Sequence, residues 1–156
     1  MVNKKKLLLS FTTILTIFIA DIYTKSVVFE FLLNKKAYFY NVLPFFNLVE
    51  VYNRGVSFGL FGSFKYSNIF FIFLSSLITV GFYLYAIYRT KKMKYWSIIA
   101  ICGGSCGNIY DRIFVGAVRD FLDFYIAGYH WPAFNIADAA ICIGALFYLL
   151  DLAINE

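Results

Sequence analysis

Carboxylates are sparse in this 156-residue chain, and four of its six aspartates fall in one stretch: Asp111, Asp120, Asp123 and Asp138. That stretch reads GGSCGNIYDRIFVGAVRDFLDFYIAGYHWPAFNIAD, Gly103 to Asp138. Two carboxylates brought close together cannot both ionise, so they share a proton. One can then take a proton from water while the other donates to a scissile amide, chemistry that needs no metal. No other constellation competes. Ser57, Ser63 and Ser105 have no evident His or Lys partner. Gly103-Gly104 lies within an apolar run, where small residues allow close helix packing and do not form a phosphate cradle. With one histidine, His130, and three cysteines scattered through apolar runs, no metal site and no disulfide framework can be assembled. No cofactor is expected. Cys102, Cys106 and Cys142 are read as small packing residues. Spacing alone leaves open which two aspartates form the pair.

The elements that must position these groups are membrane helices. The chain is 62% hydrophobic and only 15% charged, where a soluble domain carries about 25% charged residues. Four apolar segments predict four transmembrane helices in one domain, 1–156: about Leu7 to Tyr23, Tyr66 to Tyr88, Tyr95 to Ile113 and Phe134 to Ile154. The first follows Lys4–Lys6 like a signal peptide. It is read as a retained span, because Phe18 occupies a position where a cleavage site needs a small residue. The net charge of +5 sits in two clusters beside apolar runs, Lys4–Lys6 and Arg89–Lys94. That places both termini in the cytoplasm and argues against nucleic acid as a partner.

Depth then groups the carboxylates. At about 1.5 Å per residue, Asp21, Asp111 and Asp138 lie roughly 21, 24 and 24 Å from the inner ends of their helices. All three fall in the outer third of a core about 30 Å thick. Asp21 and Lys25 are spaced i,i+4 and can pair. Gly104, Asn108, Asp111 and Arg112 share one stripe of the third helix, with Asp111 and Arg112 expected to form a structural ion pair. Asn135 and Asp138 are i,i+3 on the fourth.

The first outer segment, about Glu30 to Lys65, is aromatic and β-branched, with Asn53, Gly55, Gly59 and Gly62 as turn positions. It predicts short strands on the bilayer surface. The second, about Phe114 to Ala133, predicts a loop or short interfacial helix before the fourth span. His130 is read there as an interfacial residue standing alone.

The chain resembles lipoprotein signal peptidase (signal peptidase II), a family of bacterial membrane aspartyl peptidases. The likeness is carried by DIYTK (Asp21–Lys25), NRGVSFG (Asn53–Gly59), GGSCGNIYDR (Gly103–Arg112), GAVRDFLDFY (Gly116–Tyr125) and FNIAD (Phe134–Asp138), in family order. Ile22 departs from the usual Gln. The resemblance implies that the catalytic aspartates are Asp120 and Asp138. Asn53, Gly55, Gly104, Asn108, Arg112 and Asn135 would then bind substrate or support the pair, and Asp21, Lys25 and Asp111 would be structural. Asp123 is taken as a surface or structural residue. The implied reaction removes the signal peptide of a diacylglyceryl-modified prolipoprotein just before the lipidated Cys. It would occur at the outer face of the bacterial cytoplasmic membrane. The apolar composition of the first outer loop adds the expectation that this loop clamps the peptide. Prolipoprotein and membrane lipid are the implied partners, and the chain is expected to act as a monomer. A small proton-coupled transporter using the same carboxylates is the alternative.

Overall fold

The computed structural model describes residues 4–55, 66–90 and 92–155. Helix α1 spans Lys4–Lys35, strand β1 Phe39–Leu43 and strand β2 Phe46–Asn53. Helices α2 (Ser67–Arg89) and α3 (Lys92–Phe114) follow, then strands β3 (Val118–Ile126) and β4 (Tyr129–His130), and helix α4 (Ile136–Asn155). The protein is thus mainly helical with a small antiparallel sheet of order β1-β2-β3-β4. Residues 56–65 of the first outer loop, Gly59 and Gly62 among them, lie outside the described residues.

Three of the helices, α1, α2 and α4, are long and apolar enough to cross a membrane. Helix α3 is not among them, and its packing supplies the reason. It touches all three of the others, so its surface meets protein and tolerates Ser97, Gly103, Gly104, Gly107 and Asn108, all buried. Glycine permits the closest of these approaches. A methyl group on Gly104 would strike the Ala137 carbonyl of α4, and one on Gly107 would strike the Asp21 carboxylate of α1. At the opposite end, Ala86, Ile87, Tyr95, Ile98, Ile99 and Cys102 form a buried apolar cluster between α2 and α3. Lys6 reaches across to the Ala86, Ile87 and Thr90 carbonyls at 3.0–3.3 Å. It thereby supplies donors to the end of α2, where helix carbonyls lack partners. The basic N-terminal segment and the α2–α3 turn therefore lie at the same end of the bundle.

Three expectations change. Helix α1 continues 12 residues beyond Tyr23, to Lys35, because apolarity marks the part of a helix suited to a bilayer and not the whole helix. Its extension carries the sheet: Phe29 packs edge-on against Tyr52 and Phe31 against Tyr40, at 5.3 and 5.1 Å between ring centres. The second outer segment is neither loop nor helix. It forms β3 and β4, and β3 pairs with β2 along its length. Its strand character was hidden by aspartates, which disfavour strands in general but here are buried against partners on both faces of the strand. Cys102 packs in the core as expected, whereas Cys142 is exposed and lines a cavity.

The close α3–α4 contact predicts the outcome of a paired substitution. Gly104→Ala forces α4 away and should destabilise the bundle by about 1–3 kcal/mol. Gly81→Ala, with open space around it, should be neutral or stabilising by up to about 1 kcal/mol. Thermal unfolding in detergent distinguishes the two.

Candidate active site

Buried charge organises the site from below. Lys25 and Asp21 are fully buried on α1, and Asp111 is fully buried on α3. The Lys25 ammonium lies 2.6 Å from Asp21, 3.1 Å from Asp111 and 3.2 Å from the Asn108 side-chain oxygen. Its three N–H donors thus have three acceptors. The other Asp21 oxygen accepts the Ala137 backbone N–H at 2.9 Å, one of the unpaired donors at the start of α4. The carboxylates of α1 and α3 therefore meet at one level, together with the start of α4.

Asp111 does not pair with Arg112 as expected. Adjacent helix residues point about 100° apart and do not face each other. Besides Lys25, its partner is Arg119 of β3, whose guanidinium reaches Asp111 at 2.7 Å and whose backbone N–H donates at 2.9 Å. Arg119 was missed in the sequence, and the spacing from Asp111 gives no helical signal because Gly116 turns the chain between them, at φ +83°. Arg112 turns the other way. It donates to the Gly55 carbonyl at 3.2 Å, lines one cavity with Asp138 and Asp120, and its Nε has no partner among the described residues.

Above this base, two amides connect the two carboxylates. Asn135 precedes α4 and accepts the Asp138 backbone N–H at 2.9 Å, while the Asp138 carboxylate reaches back to the Asn135 N–H at 3.4 Å. This reciprocal arrangement is a capping box, and it holds Asp138 at the positive end of the helix dipole. The Asn135 amide donates to Asp120 at 2.7 Å. Asn108 donates to the far side of Asp138 at 2.7 Å, so Asn108 links Asp138 to Lys25. Asp120 lies on β3, not in a loop, and is nearly fully buried. Asn53 of β2 donates to its second oxygen at 3.2 Å. Burial first, then the neighbouring Asp138 charge, raises the Asp120 pKa from 3.8 to about 7, against the opposing pull of the Asn53 and Asn135 hydrogen bonds.

Both carboxylates open onto one cavity of about 620 Å³, lined also by Asn53, Gly55, Asn108 and Arg112. It continues between the helices past Ser75, Ser105 and Cys142, and the segment Trp131–Phe134 forms part of its wall. Gly104 is absent from this lining and serves helix packing. Asp123 is on the opposite side of β3. It is buried and so is not a surface residue, and His130 is not alone but sits 2.8 Å from it.

A cavity walled by two hydrogen-bonded carboxylates, Asp120 buried and Asp138 half-buried, set among helices long and apolar enough to cross a membrane, defines a polytopic membrane protein. A family model described as signal peptidase (SPase) II matches residues 13–154. The chain belongs to that family, and so to the peptidases. A relative named lipoprotein signal peptidase, from a Sulfurihydrogenibium species, is 38% identical over 151 residues, covering 93% of this chain and 91% of its own. Another of that name, from Vibrio cholerae serotype O1, is 41% identical over 140 residues, with 88% and 82% covered. Two solved structures described as bacterial membrane enzymes superpose with TM-scores of 0.78, each at 26% identity. One covers 94% of this chain and 88% of its own, the other 92% and 91%.

Two consequences can be measured. Lys25→Met leaves two facing carboxylates without their shared cation and should destabilise the protein by about 3–5 kcal/mol, read by thermal unfolding in detergent. For Asp120, a folded pKa of about 7 against 3.8 means that the folded protein binds the proton more tightly than the unfolded chain. That contribution is complete below the unfolded value and is lost as pH rises through the folded one. Asp120→Asn cannot ionise, so its gain in melting temperature over the wild type should be larger at about pH 8 than at about pH 5.

Proposed function

We propose that the protein is an aspartic endopeptidase that removes the signal peptide from diacylglyceryl-modified prolipoproteins, cleaving just before the lipidated Cys, with Asp120 and Asp138 as the catalytic pair. The observation that carries the reading is that Asn135 holds both aspartates at the wall of one cavity, its side-chain amide donating to the Asp120 carboxylate and its backbone N–H to that of Asp138. Family membership supports the substrate class, since the relatives are named lipoprotein signal peptidase.

Charge balance supports the mechanism. Asp21 and Asp111 are matched by Lys25 and Arg119. Arg112 supplies one positive charge to the remaining pair, which is neutralised if Asp120 and Asp138 hold one proton between them. Asp120, with its raised pKa, is the resting acid. Asp138, at the helix N-terminus and hydrogen-bonded by Asn108, is the resting carboxylate. Asp138 takes a proton from water, the hydroxide oxygen bonds to the scissile carbonyl carbon, and Asp120 protonates the carbonyl oxygen. The tetrahedral intermediate then collapses: the C–N bond breaks, and the proton held by Asp138 passes to the leaving nitrogen. The proton of the new hydroxyl returns to Asp120. The Arg112 Nε, an unused donor, is placed to orient a substrate carbonyl.

In this reading α3 is a fourth span, shielded from lipid by its three neighbours. The bundle end bearing Lys6 faces the cytoplasm and the sheet lies at the outer face of the cytoplasmic membrane. A diacylglyceryl group anchored in that leaflet presents its cysteine at the level of the pair.

Purified protein should cleave a diacylated prolipoprotein, seen as a gel shift, and leave the unlipidated precursor intact. Asp120→Asn and Asp138→Asn should each lower turnover by about 100-fold or more, while Asp151→Asn, at the other end of α4, should not. Wild-type kcat/KM should fall about tenfold per pH unit above pH 7, as Asp120 loses its proton. Equal cleavage by all three variants would remove the assignment.

A further inference from the structure

Asp123 is a buried carboxylate that this mechanism does not use. It is 6% exposed and three residues from Asp120, so the two point to opposite faces of β3. On its face a polar row crosses three strands. Asn47 is the direct cross-strand partner of Asp123, and Asn41 of Asn47. The Asn47 amide donates to Asp123 at 2.8 Å, and the Asn41 amide donates to Asn47 at 3.0 Å and to the Tyr125 hydroxyl at 3.1 Å. His130 Nδ1 meets both Asp123 oxygens, at 2.8 and 3.0 Å. A carboxylate only accepts, so Nδ1 carries the hydrogen. The imidazole also stacks on the Tyr125 ring, 4.9 Å between centres and 15° from parallel.

This contact immediately precedes the cavity wall in the chain. The two-residue turn Ala127–Gly128 has positive φ at both positions, 51° and 83°, the form that closes a tight hairpin. It brings His130 back beside Tyr125. The next residue, Trp131, donates its N–H to the Phe124 carbonyl at 2.8 Å, and Trp131–Phe134 then wall the cavity that holds Asp120 and Asp138. Strand β4 is only two residues long, so few ladder hydrogen bonds hold it. The His130–Asp123 bond and the stacked ring are its side-chain anchors.

We propose that Asp123 and His130 are positioning residues for the substrate-side wall. Through Trp131–Phe134 they set affinity for the precursor peptide, and they take no part in breaking the bond. The inference rests on the peptidase reading for its substrate and on the hairpin geometry for its mechanism.

The test compares wild type, His130→Ala and His130→Asn. The Asn amide nitrogen can occupy the place of Nδ1. With the diacylated prolipoprotein, His130→Ala should raise KM about fivefold or more and leave kcat within about twofold, and His130→Asn should return KM to within about twofold of wild type. A second readout needs no substrate. In a Trp96→Phe background Trp131 is the sole tryptophan, and its fluorescence anisotropy should fall in His130→Ala and recover in His130→Asn. An unchanged KM, or a tenfold loss of kcat at constant KM, overturns the proposal. So does a lowered melting temperature with unchanged anisotropy. Should the wild type fail to cleave, the peptidase reading falls, and the anisotropy comparison still decides whether the clasp holds the wall.

Discussion

A single ammonium group, buried where no water reaches it, sets the terms for the rest of the structure. Lys25 has no exposed surface, and a buried cation is tolerable only when its donors are met. Meeting them draws in Asp21 from its own helix and Asp111 and Asn108 from α3. Each acceptor is then committed elsewhere as well: Asp21 to the start of α4, Asp111 to Arg119 of β3, Asn108 to Asp138. Three helices and a strand are thereby registered against one another. The glycines of α3 follow from the same demand, because the backbones must come close enough for short side chains to meet.

The two proposed catalytic carboxylates reach the cavity from different kinds of element, and the difference matters chemically. Asp138 is the third residue of a helix and lies at the positive end of that helix's dipole. Asp120 is on a strand, buried, and faces the charge of Asp138. One side chain, Asn135, caps the helix through its oxygen and holds the strand aspartate through its nitrogen. Two similar acids thus sit in different surroundings, and in the proposed mechanism that difference lets one serve as acid and the other as base.

Much of this was legible in the chain. The apolar runs reveal three of the helices directly. The i,i+4 spacing of Asp21 and Lys25 and the common depth of Asp21, Asp111 and Asp138 correctly grouped these residues. What was not legible has a common physical origin: contacts between residues whose spacing belongs to no single element. Arg119 meets Asp111 across a glycine turn, and His130 meets Asp123 across a hairpin. Periodicity within a helix says nothing about either. It led instead to Arg112 as the partner of Asp111, a neighbour in sequence that points elsewhere. The strand β3 was obscured because its polar residues are satisfied by distant groups, so that its composition resembles a loop's.

The Asp21–Lys25 bond has a consequence for biogenesis. Both residues belong to α1 and are one helical turn apart, so the bond forms as soon as that helix coils. Asp111, the second acceptor, lies 86 positions further along the chain and is absent when the first span leaves the ribosome. By pairing internally, the leading helix can enter lipid with its two charges cancelled. When α3 arrives, Lys25 adds a partner without ever having been exposed to hydrocarbon as a bare cation.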